Sequence, residues 1–203
     1  MTLDLGVLIS GRGSNLQAIL DAIADGRLDA TVRLVVSNKP GVLGLARAEA
    51  AGVPTKVLSH KDYPDRASFD AAMVAALAPA GVQWIVLAGF MRIVTNVLLD
   101  AFPSRVINIH PSLLPSFPGV SAQAQALARG VGISGCTVHL VDSGTDTGPI
   151  LGQAAVPVLA GDTEETLSER ILVREHQLLV HVLSAISTGN LDLPMALGVE
   201  SLS

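Results

Sequence analysis

The run INIHPSLLPSFPG, residues 107–119, places an asparagine and a histidine two positions apart at the end of an apolar segment. In a β-strand, side chains two apart point to the same face, so Asn108 and His110 are predicted to share one face. An amide donor beside a titratable ring can stabilise a developing oxyanion and transfer protons. We therefore interpret this strand end as a candidate catalytic site. The alternative is a histidine whose hydrogen bonds are satisfied within the core.

A second polar stretch, VDSGTDTGPI at residues 141–150, carries Asp142 and Asp146 in a Gly- and Thr-rich loop. A carboxylate placed beside His110 would hold the ring and favour its charged form. The alternative is a solvated turn in which Asp and Gly serve turn geometry. A metal site formed by these three residues and His139 matches no strong zinc spacing, so no metal is predicted.

A glycine-rich stretch, GRGSN at residues 11–15, lies between a predicted strand and a predicted helix. The N-terminus of a helix offers free N–H groups and the positive end of the helix dipole, which suit a phosphate. Leu16 stands where the dinucleotide fingerprint requires a third glycine, and the lysine of a P-loop is absent. The pattern favours one phosphate on a smaller ligand, with a plain strand-to-helix turn as the alternative.

A carboxylate interrupts the apolar stripe of the last predicted helix. Glu175 falls on the same face as Leu167, Ile171, Leu178 and Val182. A lone acid on an apolar face requires a partner. Ligand hydroxyls are one option that the sequence leaves open, and a neighbouring arginine or a fraying edge of the helix is the other.

The elements that must position these residues alternate between strand and helix, which predicts an α/β domain with a doubly wound, mostly parallel sheet. The predicted strands are Leu3–Ser10, Thr31–Ser37, Pro54–Leu58, Trp84–Ala88 and Val106–Ile109, followed by a late antiparallel pair, Gly135–Val141 and Ile150–Val158. The predicted helices are Ser14–Ala24, Leu43–Ala51, Asp65–Ala78, Gln123–Arg129 and a long C-terminal helix that ends near Ser187. Asp162, in a capping box with Glu165, or Thr163 is predicted to cap that last helix.

Composition excludes several classes of function. The 203 residues are 49% hydrophobic and carry a net charge of -5, without the basic face that nucleic-acid binding requires. The single cysteine, Cys136, permits no intrachain disulfide. The first residues match neither a signal peptide nor a membrane span, so we expect a cytoplasmic protein. We predict one domain over residues 1–188 and a tail over 189–203, and either a monomer or a homodimer.

Taken together, the motifs resemble the phosphoribosylglycinamide formyltransferases, a folate-dependent family of purine synthesis. The resemblance covers nearly the whole chain, through VLISGRGSNLQAIL, LAGFMRIV, INIHPSLLPSFPG, TVHLVDSGTDTGPIL and the REH of the last helix. It implies transfer of a formyl group from the co-substrate 10-formyltetrahydrofolate to the amine of glycinamide ribonucleotide. It also implies direct attack by that amine, without a metal or a covalent intermediate, and small-molecule substrates as the partners.

The resemblance further implies roles for individual residues. The catalytic residues would be Asn108, His110 and Asp146. The phosphate of the ribonucleotide would be bound by Gly13, Ser14 and Asn15, and its ribose hydroxyls by Glu175. The folate-side residues would be Arg66, Met91, Arg92, Ile93, Val94 and Asn108, with the loop residues Asp142, Ser143, Gly144, Thr145 and Asp146. The bond between Leu114 and Pro115 would be cis, as in the family.

The sequence differs from the family pattern at two positions, and related families offer alternative functions. Ser121 stands where family members commonly carry a histidine, and Gly132 where a basic residue is common. The formyltetrahydrofolate hydrolases and methionyl-tRNA formyltransferases share the catalytic run, but both resemble this domain with another added, and the acidity of the chain disfavours tRNA. A catalytically silent ligand-binding homologue is the alternative that is not an enzyme. An enzyme that uses formate and ATP would require a nucleotide-binding domain.

Overall fold

The computed structural model describes residues 2–189 and, for residues 195–197, the backbone. The strands are β1 (Leu3–Ile9), β2 (Ala30–Ser37), β3 (Thr55–Val57), β4 (Trp84–Leu87), β5 (Val106–His110), β6 (Ile133–Leu140), β7 (Ile150–Pro157) and β8 (Met195–Leu197). The helices are α1 (Ser14–Ala24), α2 (Leu43–Ala50), α3 (Arg66–Leu77), α4 (Asn96–Ala101), α5 (Ala122–Arg129) and α6 (Glu164–Thr188), with one 3-10 turn at His60–Asp62.

The strands form one sheet in the order β3-β2-β1-β4-β5-β6-β7-β8. Strands β1 to β5 are parallel, β6 pairs antiparallel with both β5 and β7, and β8 pairs parallel with β7. The predicted mostly parallel, doubly wound sheet with late antiparallel pairing is therefore confirmed. The chain order reverses between β1 and β4, and sheets of this kind bind ligands at the carboxyl ends of the strands beside such a switch point.

Apolar side chains on both faces of the sheet explain why the first strands read as continuous hydrophobic runs. On one face, Leu5, Val7 and Ile9 of β1 belong to a core that includes buried side chains of α1 and α6. On the other face, Leu8 packs in a second core with buried side chains of α3 and α4. The sheet is thus covered by helices on both faces, which leaves the ends of its strands to carry function.

Two details of the helices differ from the sequence-based prediction. Helix α4 has six residues, which is too short for an amphipathic period to be recognised, and it was not predicted. Thr163 caps α6 in a capping box with Thr166, so the box of Asp162 and Glu165 is wrong and the alternative cap at Thr163 is confirmed. Asp162 is instead held by the guanidinium of Arg170, at 2.7 Å.

The predicted tail lies largely outside the described residues, and the boundary near residue 188 stays a prediction. The backbone of residues 195–197 forms β8, at one edge of the sheet. Within the part of the chain that the structure describes, no helix is both long and apolar enough to cross a membrane.

Candidate active site

A cleft of about 720 Å³ opens at the carboxyl ends of β4 and β5. Its walls come from the segment after β4, the end of β5, the loop before α5 and the loop between β6 and β7. The lining residues used below are Arg66, Gly89, Phe90, Met91, Arg92, Ile93, Val94, Asn108, His110, Gly119, Val120, Ser121, His139, Asp142, Gly144, Thr145 and Asp146. The cleft therefore gathers residues from distant parts of the sequence beside the switch point of the sheet.

Strand β5 presents Asn108 and His110 to this cleft, as their spacing predicted. The isoleucines on either side of Asn108 are buried in the core, and His110 at the strand end is equally buried, at 5% exposed. In the antiparallel register with β6, Asn108 lies opposite His139 and His110 lies opposite Thr137. Because alternate residues share a face, the polar side chains of both strands converge on one side of the sheet.

Asp146 completes the cluster from the loop between β6 and β7. Its Oδ2 lies 3.3 Å from Nδ1 of His110, and its Oδ1 accepts a hydrogen bond from Nδ2 of Asn108 at 3.4 Å. The backbone N–H of Gly119 donates to Oδ2 at 2.8 Å. Asp146 has a positive φ of 55°, a conformation that Asp tolerates better than most residues. The structure thus brings the three predicted catalytic side chains together.

The electrostatics of Asp146 reflect two opposing effects. Burial favours the neutral acid, but the hydrogen bonds from His139 and Gly119 and the charges of His110 and His139 outweigh it, so its pKa lies below the usual range. The carboxylate is therefore ionised at neutral pH. A fixed negative charge beside His110 is what a site that uses a charged imidazole requires.

His139 belongs to this cluster and was not predicted as a catalytic-site residue. Its Nδ1 lies 2.8 Å from the carbonyl oxygen of Leu140, so a neutral ring carries the proton there and leaves Nε2 as an acceptor. That Nε2 lies 3.2 Å from Nδ2 of Asn108 and 3.6 Å from Oδ1 of Asp146. The neutral ring accepts from Asn108, whereas a charged ring donates to Asp146. The alternation of polar and apolar residues in TVHL, residues 137–140 of β6, was the sequence signal for this placement.

The loop after β5 contributes backbone groups that no sequence pattern indicated. The carbonyl oxygen of Phe117 lies 2.9 Å from Nε2 of His110, so this nitrogen donates to it. The bond between Leu114 and Pro115 is cis, as the resemblance implied. The loop returns over the end of β5, which is why residues seven and nine positions after His110 contact the cluster.

Most of the predicted folate-side residues line the cleft, namely Arg66, Met91, Arg92, Ile93, Val94, Asn108, Asp142, Gly144, Thr145 and Asp146. Ser143 is not among the lining residues that the structure describes. Met91 and Ile93 are 67% and 53% exposed, so apolar surface faces the opening. Asp142 accepts hydrogen bonds from Gly144 and Thr147, which is the turn-stabilising role that was the alternative for this residue.

The glycine-rich stretch forms the turn between β1 and α1. Gly13 caps α1 with a φ of 68°, and a Cβ placed on it would lie 2.6 Å from the Cα of Gly44. Both the backbone conformation and the close approach of α2 therefore require glycine here. Gly13, Asn15 and Glu175 are not among the described residues that line the large cleft, while Ser14 lines a smaller cavity of about 380 Å³ between α1 and α6.

The two segments that are predicted to bind the ribonucleotide contact each other directly. Nδ2 of Asn15 donates to Oε2 of Glu175 at 2.9 Å, so the protein partner of this carboxylate is an amide and not the arginine that was one of the alternatives. Glu175 is 7% exposed, and burial raises its pKa against the opposing hydrogen bond from Asn15. Oδ1 of Asn15 is buried without a hydrogen-bond partner among the described residues. A buried acceptor of this kind is suited to a ligand hydroxyl.

Ser121, the departure from the family pattern, lies at the rim of the cleft. It has a φ of 56° and precedes α5 as its N-cap, without a side-chain capping bond. Its neighbour Val120 is 81% exposed. The hydroxyl cannot provide the titratable ring that a histidine would.

The metal alternative finds no support in the geometry. Asp142 bonds within its own loop, and residues 2–189 contain no group of His, Cys, Asp or Glu arranged to hold a metal ion.

The fold and the site define an α/β domain with a cluster of Asn, His and Asp side chains at the switch point of its sheet. Residues 4–183 match the family described as formyl transferase. The chain belongs to the formyl transferase family.

Individual relatives are similar over most of the chain. A trifunctional purine biosynthetic protein adenosine-3 of Drosophila pseudoobscura pseudoobscura is 53% identical over 189 residues, which are 92% of this chain but 14% of that protein. The chain thus spans about a seventh of that relative's length. The phosphoribosylglycinamide formyltransferase of Bacillus subtilis is 43% identical over 84% of this chain and 88% of its own.

A solved structure shows the same fold. The crystal structure of glycinamide ribonucleotide transformylase 1 from Symbiobacterium toebii superposes with a TM-score of 0.91 at 50% identity, and covers 93% of this chain and 89% of that chain. The agreement extends over nearly the whole of both chains, which confirms the predicted fold class.

Proposed function

We propose that this protein transfers the formyl group of 10-formyltetrahydrofolate to the amine of glycinamide ribonucleotide, a step of purine biosynthesis. One observation carries the proposal: inside the cleft, the Asp146 carboxylate lies 3.4 Å from the Asn108 amide nitrogen and 3.3 Å from Nδ1 of the His110 ring. The relatives named phosphoribosylglycinamide formyltransferase and glycinamide ribonucleotide transformylase support the same substrate pair.

The reaction begins with attack of the neutral amine on the formyl carbon, whose oxygen becomes an oxyanion. An amide nitrogen carries two hydrogens, and Asn108 directs one of them to Oδ1 of Asp146. The other is available to the oxyanion. A donor fixed in this way stabilises the charge without reorganising as it develops.

His110 supplies the second hydrogen-bond donor to the oxyanion. Its Nε2 is occupied by the carbonyl oxygen of Phe117, so Nδ1 is the nitrogen left for the substrate. Nδ1 lies 3.3 Å from Asp146, which stabilises the charged ring without removing this N–H from the cleft. A charged imidazole beside the formyl oxygen offsets the negative charge of the tetrahedral intermediate.

Proton transfer completes the exchange. As the new C–N bond forms, the attacking nitrogen loses a proton, and the bond between the formyl carbon and N10 of the folate breaks as N10 gains one. Asp146 is the acceptor in place for the first proton, directly or through an ordered water. Holding both substrates side by side supplies much of the remaining rate enhancement.

Binding of the ribonucleotide is assigned to the turn before α1 and to the Asn15–Glu175 pair. The backbone N–H groups of Ser14 and Asn15 open α1, where the helix dipole favours a phosphate. The unpartnered Oδ1 of Asn15 and the carboxylate of Glu175 are acceptors for ribose hydroxyls. The folate is assigned to Arg66, to residues 91–94 and to the loop of residues 142–146.

The test is an absorbance assay for the folate product with and without glycinamide ribonucleotide. We expect product only when the ribonucleotide is present, because its amine is the acceptor. Product formed at the same rate without ribonucleotide would identify a formyltetrahydrofolate hydrolase. The absence of product in both reactions, with both ligands bound, would identify a silent homologue. We further propose that the protein acts in the cytoplasm on small molecules alone.

A further inference from the structure

The segment between β4 and α4, residues 89–95, forms one wall of the cleft without being part of a helix or strand. Phe90 and Val94 are 8% and 6% exposed and anchor it in the second core. Met91 and Ile93, between them, are mostly exposed at the cleft. The shape of this wall therefore depends on what holds the backbone at its two ends.

A buried side chain holds each end. At the first end, the N–H of Met91 donates to Oγ of Ser10 at 2.8 Å. At the other end, the N–H and the hydroxyl of Thr95 both donate to Oδ2 of Asp70, at 2.5 and 2.7 Å. Ser10 is 5% exposed and Asp70 is 1% exposed, so water does not compete for either bond.

Packing alone does not account for an acid at position 70. The other buried side chains of α3, Phe69, Met73 and Leu77, are apolar. Burial of a carboxylate among them is costly unless it is paired, and burial raises the pKa of Asp70 against the opposing effects of the two Thr95 donors and the charge of Arg66. Arg66 lies one turn earlier on α3 and itself lines the cleft. The presence of an acid at this buried position is explained by the hydrogen bonds that it accepts from the cleft wall.

We propose that Asp70 and Ser10 are positioning residues that hold the segment of residues 89–95 in the shape that receives the pterin-bearing substrate. The inference rests on the proposed function, because it takes this segment to be the folate side of the cleft. Neither residue touches the reacting atoms. Each acts through a backbone N–H of the segment.

Ser10 also lies beside the turn that is assigned to the second substrate, the ribonucleotide. Ser10 directly follows β1 and precedes the turn assigned to the phosphate, while Met91 follows β4, the strand beside β1 at the switch point. The bond between them spans the switch point. The bonds of Asp70 to Thr95 do not span the switch point, so removal of this carboxylate is expected to affect the binding of the folate alone.

The experiment compares Asp70→Asn with the wild-type protein in steady-state kinetics with both substrates. We expect the KM for 10-formyltetrahydrofolate to rise about tenfold, as the loss of a hydrogen bond to a charged group predicts, while the KM for the ribonucleotide stays within about twofold. Hydrogen exchange of the amides of residues 90–95 is expected to accelerate. Thr95→Ser, which keeps both donors, is expected to behave as wild type, and Thr95→Val to show a smaller rise.

Asp65→Asn is the matched control. Asp65 caps the same helix, with its Oδ1 accepting from the N–H of Ser68 at 2.7 Å, and does not line the cleft. Asn remains a good N-cap, so this variant weakens α3 only by removing a negative charge that the helix dipole favours, and it leaves the bonds to Thr95 intact. If Asp65→Asn and Asp70→Asn raise the folate KM equally, the effect is one of helix stability and the proposal is overturned.

Other outcomes are equally decisive. An unchanged folate KM in both Asp70→Asn and Thr95→Val overturns the proposal, and if Asp70→Asn does not fold, Thr95→Val alone decides. A wild-type protein that does not bind 10-formyltetrahydrofolate overturns the proposed function instead. That result is seen before any variant is compared, so the two failures are distinguishable.

Discussion

Asp146 is the residue on which the proposed chemistry depends most, because its carboxylate contacts Asn108, His110, His139 and the N–H of Gly119. Asp146→Asn keeps the shape of the side chain and removes its charge. We expect kcat to fall by about 10²–10⁴, the usual range for an acid–base group, with both KM values nearly unchanged. Steady-state kinetics measure this, and a kcat within about fivefold of wild type would contradict the assigned role.

The same residue gives a pH dependence of stability. The pKa of Asp146 is depressed in the folded protein, so its contribution to stability is present above the usual carboxyl pKa and is lost as the pH falls through the folded value. Asp146→Asn is therefore expected to lose less stability on acidification than the wild type. Denaturant unfolding at a series of acidic pH values measures the difference.

Glu175 gives a pH dependence of stability in the opposite direction to that of Asp146. Burial raises its pKa, so stability falls as the pH rises from the usual carboxyl value through the folded value. Glu175→Gln keeps an acceptor for Asn15 and removes the buried charge. We expect the variant to gain stability over wild type at neutral pH, and the gain to vanish below about pH 4, where glutamate is neutral in both states.

Kinetics of Glu175→Gln test its ligand role separately from its stability. The KM for the ribonucleotide is expected to rise more than kcat falls, because a neutral amide accepts more weakly from ribose hydroxyls than a carboxylate does. Unchanged kinetics in a variant with the expected stability change would leave Glu175 with a structural role only.

At the scale of elements, the turn between β1 and α1 is the most constrained connection near the site. Gly13→Ala introduces a Cβ at a positive φ and 2.6 Å from the backbone of Gly44, so the turn must shift. We expect the KM for the ribonucleotide to rise about tenfold or more while folate binding is largely retained, since the loss of a charged hydrogen bond has this size.

A control separates backbone strain from displacement of this turn. Gly26→Ala carries the same strain, with a φ of 72°, but a Cβ there has nothing within 4 Å. Gly26→Ala should lower stability without changing either KM. Equal loss of affinity for both substrates in a folded Gly13→Ala would count against the phosphate assignment.

At the scale of the whole molecule, the cleft joins the ends of β4, β5 and β6 with two loops, so a bound ligand links parts that are distant in sequence. A ligand that binds only the folded state stabilises it by about 2.7 kcal/mol at a hundred times its Kd. We expect folate and ribonucleotide each to raise the Tm. Asp146→Asn should retain both increases, because the amide keeps the shape of the side chain in the folate-side loop and removes only its charge. A Tm unchanged by either ligand at saturating concentration would contradict the substrate assignment.

Local patterns in the sequence predicted much of the fold and the central residues of the site. The alternation of buried strands and amphipathic helices indicated the doubly wound sheet, because the periods of strand and helix are local properties of the chain. The spacing of Asn108 and His110 indicated a shared face for the same reason. Family resemblance, and not spacing, indicated that Asp146 reaches His110.

Only the tertiary structure decided the remaining contacts of the site. The bonds of His139 to Asn108, of Phe117 to His110 and of Asp70 to Thr95 join residues that are 31, 7 and 25 positions apart. The register of β6 and the return of a loop set these distances, and neither has a local period that a sequence can display. The sequence by itself determined which side chains could do the chemistry, and the packing of the sheet and its loops determined which partners hold them in place.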